Sequence, residues 1–116
     1  MNPSLRILTE ARELIKDPKN WTQGSCARDM DNLPVSYTLE SAYSFCARGA
    51  IFKATDIVKS EVPTDAMGYL TSALLIITKG ATTFIPGYND SHEHSQVLAL
   101  FDKAIKLAER IQHDDQ

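Results

Sequence analysis

The chain has 116 residues, 43% of them hydrophobic, and a formal net charge of -3 at pH 7. This length fits one compact domain with a single core. The slight acidic excess does not favour nucleic-acid phosphates or an anionic membrane, because both need clustered cations. We find no apolar run of the ~18 residues that a membrane span needs, and no signal-peptide pattern in residues 1–14. We therefore expect one cytoplasmic domain over residues 1–116, frayed at 113–116, with neither a membrane nor a nucleic-acid partner.

The first predicted helix spans residues 3–16. Asn2 is suited to cap it, and Pro3 fits the first helical position, where a missing N–H breaks no helical hydrogen bond. The sequence "DPKN" then ends the helix with turn residues. Apolar residues recur at spacings of three and four, which places them on one buried face: Leu5, Ile7, Leu8, Ala11, Leu14 and Ile15.

The next segment changes to a pattern typical of strands. Residues 22–28 and 33–36 are joined by the turn sequence "DMDN" and predict a small β-hairpin between the first two helices. A two-stranded ribbon is marginally stable alone, so it must pack against the helices. The residues expected to anchor it are Trp21, Cys26, Met30 and Val35.

The second predicted helix runs from Thr38 to Lys59. Its expected buried side consists of Leu39, Ala42, Phe45, Cys46, Gly49, Ala50, Ile57 and Val58. Glycine in a helix interior costs about 1 kcal/mol relative to alanine, so Gly49 beside Cys46 and Ala50 indicates a narrow face that another backbone approaches closely. That face fits either an internal packing seam or self-association into a homo-oligomer.

Two further helices complete the predicted fold. The third begins at Pro63 or Thr64, ends near Lys79, and is the most apolar element, so we expect it at the centre. The last begins at Asp90 or Ser91. Together the elements predict a mainly α, four-helix bundle-like single domain with a small β-hairpin between helices 1 and 2. The expected core of the last two helices is Ala66, Met67, Leu70, Ala73, Leu74, Ile77, Val97, Leu98, Phe101, Ala104, Ile105, Ala108 and Ile111.

The sequence "IPGYNDSHEHSQV" raises the question of a metal site. Asp90 followed by Glu93 fits a capping box at the start of the last helix, after a turn at residues 86–89. His92 and His94 are two positions apart and point away from each other on a regular helix, so they cannot both bind one ion. The cap is the favoured interpretation, and we expect no metal and no other cofactor.

Several blocks together resemble a family of small bacterial and phage proteins that is catalogued as a domain of unknown function. The blocks are "WTQGSCARDMDNLPV", "FCARGAIFKA" and "YNDSHEHSQVLALFDKAI". In that family an aromatic-Cys-Ala-x-Gly-Ala helix follows an Ala-Arg-Asp hairpin. An aromatic-Asn-Asp turn leads into a helix of the form Val-Leu-x-Leu-Phe-Asp-x-Ala-Ile. Tyr88 stands where the family pattern has tryptophan. The resemblance supports the fold and implies no activity, and its motif positions here are Trp21, Gly24, Arg28, Asp29, Cys46, Gly49, Asn89, Asp90, Phe101 and Asp102.

Two interpretations compete for the polar motif residues. Asp29 at a turn commonly bonds the backbone two residues on, and Arg28 beside it is then a solvated side chain. Alternatively, Arg28, Arg48 and Asp90 converge between aromatic walls and hold a small anion or nucleotide. The candidate ligand-binding residues are Trp21, Arg28, Asp29, Arg48, Tyr88, Asn89 and Asp90. Cys26 and Cys46 fit packing better than nucleophilic catalysis, and we expect them to be reduced.

These patterns favour a noncatalytic binding or interaction module over an enzyme. Its expected ligand is a partner protein or a small polar or anionic molecule. The alternative is a small hydrolase that uses Asp90 with His92 or His94. It lacks a recognisable nucleophile, since Ser91 and Ser95 fit a cap and a surface position better.

Overall fold

Five helices and a two-stranded sheet form the part of the chain that the computed structural model describes. This part comprises residues 2–60 and 64–114, with side chains for 2–60 and 65–110. A short 3-10 helix, Pro18–Asn20, follows the first helix. The elements in chain order are α1 (Pro3–Ile15), β1 (Ala27–Arg28), β2 (Ser44–Phe45), α2 (Ala47–Ile57), α3 (Thr64–Ile77), α4 (Ile85–Ser91) and α5 (His94–Asp114). The predicted fold class, mainly α with a small hairpin between the first two helices, is confirmed.

The first helix lies at the centre of the domain. Asn2 caps it as predicted, since its Oδ1 accepts a hydrogen bond of 2.8 Å from Leu5 N. α1 packs against α2 and α5, and also against α3. The prediction that α3 is the central helix is wrong, because α3 packs mainly on α5 and leaves Leu75, Ile76 and Ile77 exposed. Of the two predicted starts of α3, Thr64 is its first residue here, and Pro63 lies outside the described residues.

The hairpin forms with a different partner strand from the predicted one. β1 pairs with β2 in antiparallel register, with Ala27 opposite Phe45 and Arg28 opposite Ser44. The predicted partner, 33–36, makes only one bridge, between Arg28 and Pro34. Two backbone hydrogen bonds flank this bridge, from Asp29 N to Leu33 O at 2.9 Å and from Val35 N to Ala27 O at 3.1 Å. Met30, predicted as an anchor, is exposed at the turn.

The second helix begins nine residues later than predicted, at Ala47 instead of Thr38. Residues 44–45 are extended in β2, and Cys46 follows as the N-cap, with its Sγ accepting from Gly49 N at 3.3 Å. The apolar spacing of Leu39, Ala42 and Phe45 is therefore not helical. Leu39 and Ile57, both predicted to be buried, are exposed.

The predicted turn at 86–89 belongs to α4, and this shifts the start of the last helix. Proline is tolerated in a first helical turn, so Pro86 at the second position does not prevent a helix. α5 starts at His94, and the predicted Asp90–Glu93 capping box is wrong. Gln96 Oε1 instead accepts from Glu93 N at 2.8 Å. None of the described helices combines the length and the apolar character needed to cross a membrane.

Candidate functional site

Asn89 is a polar side chain at the centre of the predicted site and is only 1% exposed. Its Oδ1 accepts from Trp21 Nε1 at 2.8 Å and from Ala47 N at 3.0 Å. Its Nδ2 donates to Thr22 O at 3.0 Å and to Asp90 Oδ1 at 3.1 Å. The amide thus uses its full capacity of two donated and two accepted bonds. Asn89 therefore joins the segment after α1, the start of α2 and α4.

Arg28 and Asp90 hold the same loop instead of pairing with each other. Asp90 Oδ1 accepts from Gly24 N at 2.9 Å. Arg28 donates to Gln23 O at 3.2 Å and to Asn32 O at 3.1 Å. Gly24 has φ +80°, a conformation that favours glycine. The loop around Gly24 is therefore fixed from two sides by charged side chains.

The turn interpretation is correct for Asp29. Its Oδ1 accepts from Asp31 N at 2.9 Å and from Leu33 N at 3.0 Å, which closes the turn after β1. Tyr88 is buried, and its ring is stacked on His92 with 3.8 Å between centroids. Burial raises the pKa of the Tyr88 phenol. These two predicted ligand-binding residues therefore have structural contacts of their own.

The two histidines contact backbone carbonyls. His92 Nδ1 lies 2.9 Å from Tyr88 O, and a carbonyl can only accept, so this nitrogen carries the proton. His94 Nε2 lies 2.6 Å from Ile15 O, and its ring lies 5.5 Å from that of Trp21. Asp90 bonds Gly24 and Asn89 rather than either histidine. Within residues 2–60 and 65–110, no three His, Cys, Asp or Glu side chains are grouped to hold a metal ion.

Arg48 differs from the other predicted site residues because its charged group is exposed and can contact a ligand. It is exposed in the first turn of α2, and its guanidinium carbon lies 5.3 Å from the centroid of the Phe52 ring. Among the described residues, its side chain has no hydrogen-bond or ion-pair partner. An unpaired guanidinium retains all five of its N–H donors for a ligand.

Arg48 and Pro86 separate two cavities. The Cys cavity has a volume of about 180 Å³ and is also lined by Gly24, Ser25, Cys26, Cys46 and Asp90. The Phe84 groove has a volume of about 430 Å³ and is also lined by Phe52, Met67, Thr71, Thr83, Phe84 and Ile85. Arg48 and Asp90 are thus the two predicted site residues that line the Cys cavity. The other five, Trp21, Arg28, Asp29, Tyr88 and Asn89, line neither cavity.

Phe84 was missed by the sequence analysis. Its side chain is 64% exposed at the edge of the groove named after it. It precedes α4 and belongs to none of the predicted apolar faces. Its absence from every predicted face could have identified Phe84 from the sequence as an exposed aromatic residue. A large aromatic side chain that no predicted core requires is a candidate for contact with another molecule.

The two cysteines face each other across the end of the sheet. Cys46 N donates to Cys26 O at 3.1 Å, which extends the register of Ala27 opposite Phe45 by one pair. Burial, with a smaller contribution from Cys26, raises the pKa of Cys46 to about 11.

The narrow face predicted around Gly49 is confirmed. A Cβ on Gly49 would lie 2.0 Å from Cys26 O, so the loop backbone packs directly on α2 there. Of the two interpretations of this face, the internal packing seam is correct at Gly49.

The chain was compared with protein-family models, with curated proteins and with solved structures. A family model described as "Family of unknown function (DUF6197)" covers residues 1–107. The chain therefore belongs to this family, and the predicted membership of a family of unknown function is confirmed. Searches of the curated proteins and of the solved structures give no match. A bacterial or phage source stays a prediction.

Proposed function

We propose that this member of the DUF6197 family is a noncatalytic binding module that recognises an acidic segment of a partner protein. The observation that carries the proposal is the exposed, unpaired guanidinium of Arg48 between the Cys cavity and the Phe84 groove. A carboxylate can accept two parallel hydrogen bonds from a guanidinium, which gives both charge and directional recognition.

Stability of the fold does not account for Arg48. It lies in the first turn of α2, where the helix dipole favours acidic side chains and disfavours cations by about 0.3–1 kcal/mol. Its contact with the Phe52 ring contributes about 0.5–1 kcal/mol at an exposed site. These two effects nearly cancel. A bound anion would gain from the guanidinium and from the helix dipole together.

The groove beside Arg48 defines the second part of the ligand. Its lining is mostly apolar, contains no acidic side chain, and ends at the exposed ring of Phe84. An apolar side chain next to an acidic one in an extended peptide would place the carboxylate at Arg48 and the apolar group against Phe84. Such pairing of a buried apolar contact with a charged contact is typical of peptide recognition.

The proposal is tested by selecting random peptides on the immobilised protein. We expect enriched peptides to carry Asp or Glu next to an aromatic or aliphatic residue. Their affinity should fall roughly tenfold or more in Arg48→Glu, because a favourable charge contact becomes repulsive. Phe84→Ala should weaken binding to a similar degree.

The matched control is Lys106→Glu, which makes the same charge change at an exposed position on α5 that lines neither cavity. It should leave peptide affinity unchanged. Equal loss in both charge variants would show nonspecific attraction and overturn the proposal. Native mass spectrometry of the purified protein provides an independent arm. A small anion that is bound to the wild type and absent from Arg48→Glu would overturn the proposed acidic segment. The ligand of Arg48 would then be a small anion.

A further inference from the structure

We infer that Cys26 and Cys46 are a dithiol site that low-molecular-weight disulfides such as glutathione disulfide oxidise to an intramolecular disulfide. The inference rests on the position of the two residues in the sheet and in the Cys cavity. It concerns covalent chemistry of this chain and does not depend on the proposed binding function.

The pairing of the backbones brings the two side chains together. The bond from Cys46 N to Cys26 O makes these residues a directly opposite antiparallel pair. Such pairs have Cα atoms about 5.5 Å apart and Cβ atoms about 4.5–5.5 Å apart on the same face of the sheet. A disulfide requires Cα atoms roughly 4.4–6.8 Å apart and Cβ atoms roughly 3.5–4.5 Å apart, so the Cα spacing fits and a backbone shift that brings the Cβ atoms closer by up to about 1 Å completes the geometry. Both residues indeed line the same cavity.

The surroundings hold both residues in place. Cys46 caps α2 through its Sγ, and the carbonyl of Cys26 packs on Gly49. Asp90 fixes Gly24, two residues before Cys26. The two thiols are therefore preorganised by contacts that folding itself requires.

The two thiols differ in access, which sets the order of the reaction. Cys26 is half-buried, whereas Cys46 is buried and only 5% exposed. The Cys26 thiolate therefore attacks one sulfur of glutathione disulfide and releases one glutathione thiolate. Cys46 then loses its proton to solvent and attacks Cys26 Sγ, which releases the second glutathione. Two protein thiols are oxidised, and one glutathione disulfide is reduced to two glutathione molecules.

The product would join the loop around Gly24 to the first turn of α2. The Cys cavity lies between these elements, and Arg48 is part of its lining. If the proposed function holds, oxidation would also change peptide affinity at Arg48. That consequence rests on the proposed function, whereas formation of the disulfide does not.

The experiment incubates the folded, full-length chain with glutathione disulfide and follows its mass after the remaining thiols are alkylated. We expect the wild type to lose two hydrogen atoms without keeping a glutathione adduct. Cys46→Ser should accumulate a stable glutathione adduct at Cys26. Its serine is a good N-cap, so α2 is preserved. Cys26→Ser should react roughly tenfold or more slowly, because only the buried thiol remains.

The same reaction in urea shows whether the fold is responsible. The equilibrium constant for forming the disulfide from the mixed adduct should be at least about tenfold higher in the native chain than in the unfolded one, since folding raises the effective concentration of the two thiols. Equal constants would overturn the inference. Persistent glutathione adducts on the wild type, covalent dimers, or a chain that stays reduced would do so as well. None of these readouts needs a bound peptide, so failure here is distinguishable from failure of the proposed function.

Discussion

Trp21 donates its indole N–H to the side-chain oxygen of Asn89 across 2.8 Å, and the same oxygen accepts the N–H of Ala47. One buried atom thus receives a side chain from the segment after α1 and the first backbone amide of α2. Trp21 and Asn89 were both predicted to bind a ligand. Their polar atoms fix the position of α2, the helix that presents Arg48.

Replacing Asn89 with alanine should destabilise the fold strongly. The substitution leaves the Trp21 and Ala47 donors and the Thr22 carbonyl without their partner. Each unsatisfied buried group costs about 1–3 kcal/mol, so we expect a total loss of about 3 kcal/mol or more. Urea denaturation followed by circular dichroism measures it. Asn20→Ala is the matched control, because the side chain of Asn20 makes one hydrogen bond, from Nδ2 to Tyr43 O. This substitution should cost about 1 kcal/mol. Equal losses would contradict the role given to Asn89.

Alanine at Gly49 and at Gly68 should have opposite effects. Gly49→Ala places a Cβ against the carbonyl of Cys26, a backbone atom that cannot rotate away, and should cost about 3 kcal/mol or more. Gly68 lies in α3, and nothing is within 4 Å of an added Cβ. There, alanine should stabilise the fold by up to about 1 kcal/mol through helix propensity. Melting temperatures of the two variants test this pair, and a stable Gly49→Ala protein would disprove the close packing of α2 on the loop.

Stability should fall at alkaline pH because of Cys46. Burial raises the pKa of its thiol from 9.0 to about 11 in the folded chain. Between these values the unfolded chain releases a proton that the folded chain keeps, so stability is fully present below pH 9 and is lost as the pH approaches 11. The shift corresponds to about 2–3 kcal/mol.

The measurement compares urea denaturation of the wild type and of Cys46→Ser at pH 8 and pH 10.5 under reducing conditions. Serine does not titrate in this range and can still cap α2. Tyr88 contributes in the same direction to both proteins and cancels. The wild type should lose about 1–3 kcal/mol more than the variant. Parallel curves would show that Cys46 is not desolvated.

The ion pair between Arg12 and Asp102 should contribute little and be sensitive to salt. Arg12 Nε lies 2.6 Å from Asp102 Oδ1 and links α1 to α5, but half of the Asp102 side chain is exposed. A double-mutant cycle with alanine at both positions should give a coupling energy of about 0.5–1 kcal/mol, reduced in 1 M NaCl. Asp102 is a motif position, so a coupling near zero would leave its place in the motif without a structural explanation.

The sequence was informative where one helix buries one face. The spacing of apolar residues located α1, α3 and most of α5, and Gly49 indicated a close backbone contact. These features depend on neighbours within a few residues. The start of α2 could not be predicted, because it depends on residues 44–45 pairing with β1, a contact between distant segments.

The candidate site was harder to predict for the same reason. Asn89 and Arg48 are both polar residues near the ends of helices, and the sequence pattern treats them alike. Only the assembled fold shows that three segments surround Asn89 and that solvent surrounds Arg48. Whether a polar residue holds the protein together or is left for a ligand depends on which distant backbone groups reach it.

The β1–β2 pair also brings together the two ends of the segment that connects its strands. Arg28 and Ser44 lie side by side, so residues 29–43 leave and return at one place. Loop-closure entropy grows slowly, by about 0.6 kcal/mol for each doubling of length. Beyond the turn held by Asp29, the exposed residues 39–41 are a point where the chain can be lengthened. An epitope or a whole domain inserted there would extend outward while α2 and Arg48 stay where they are.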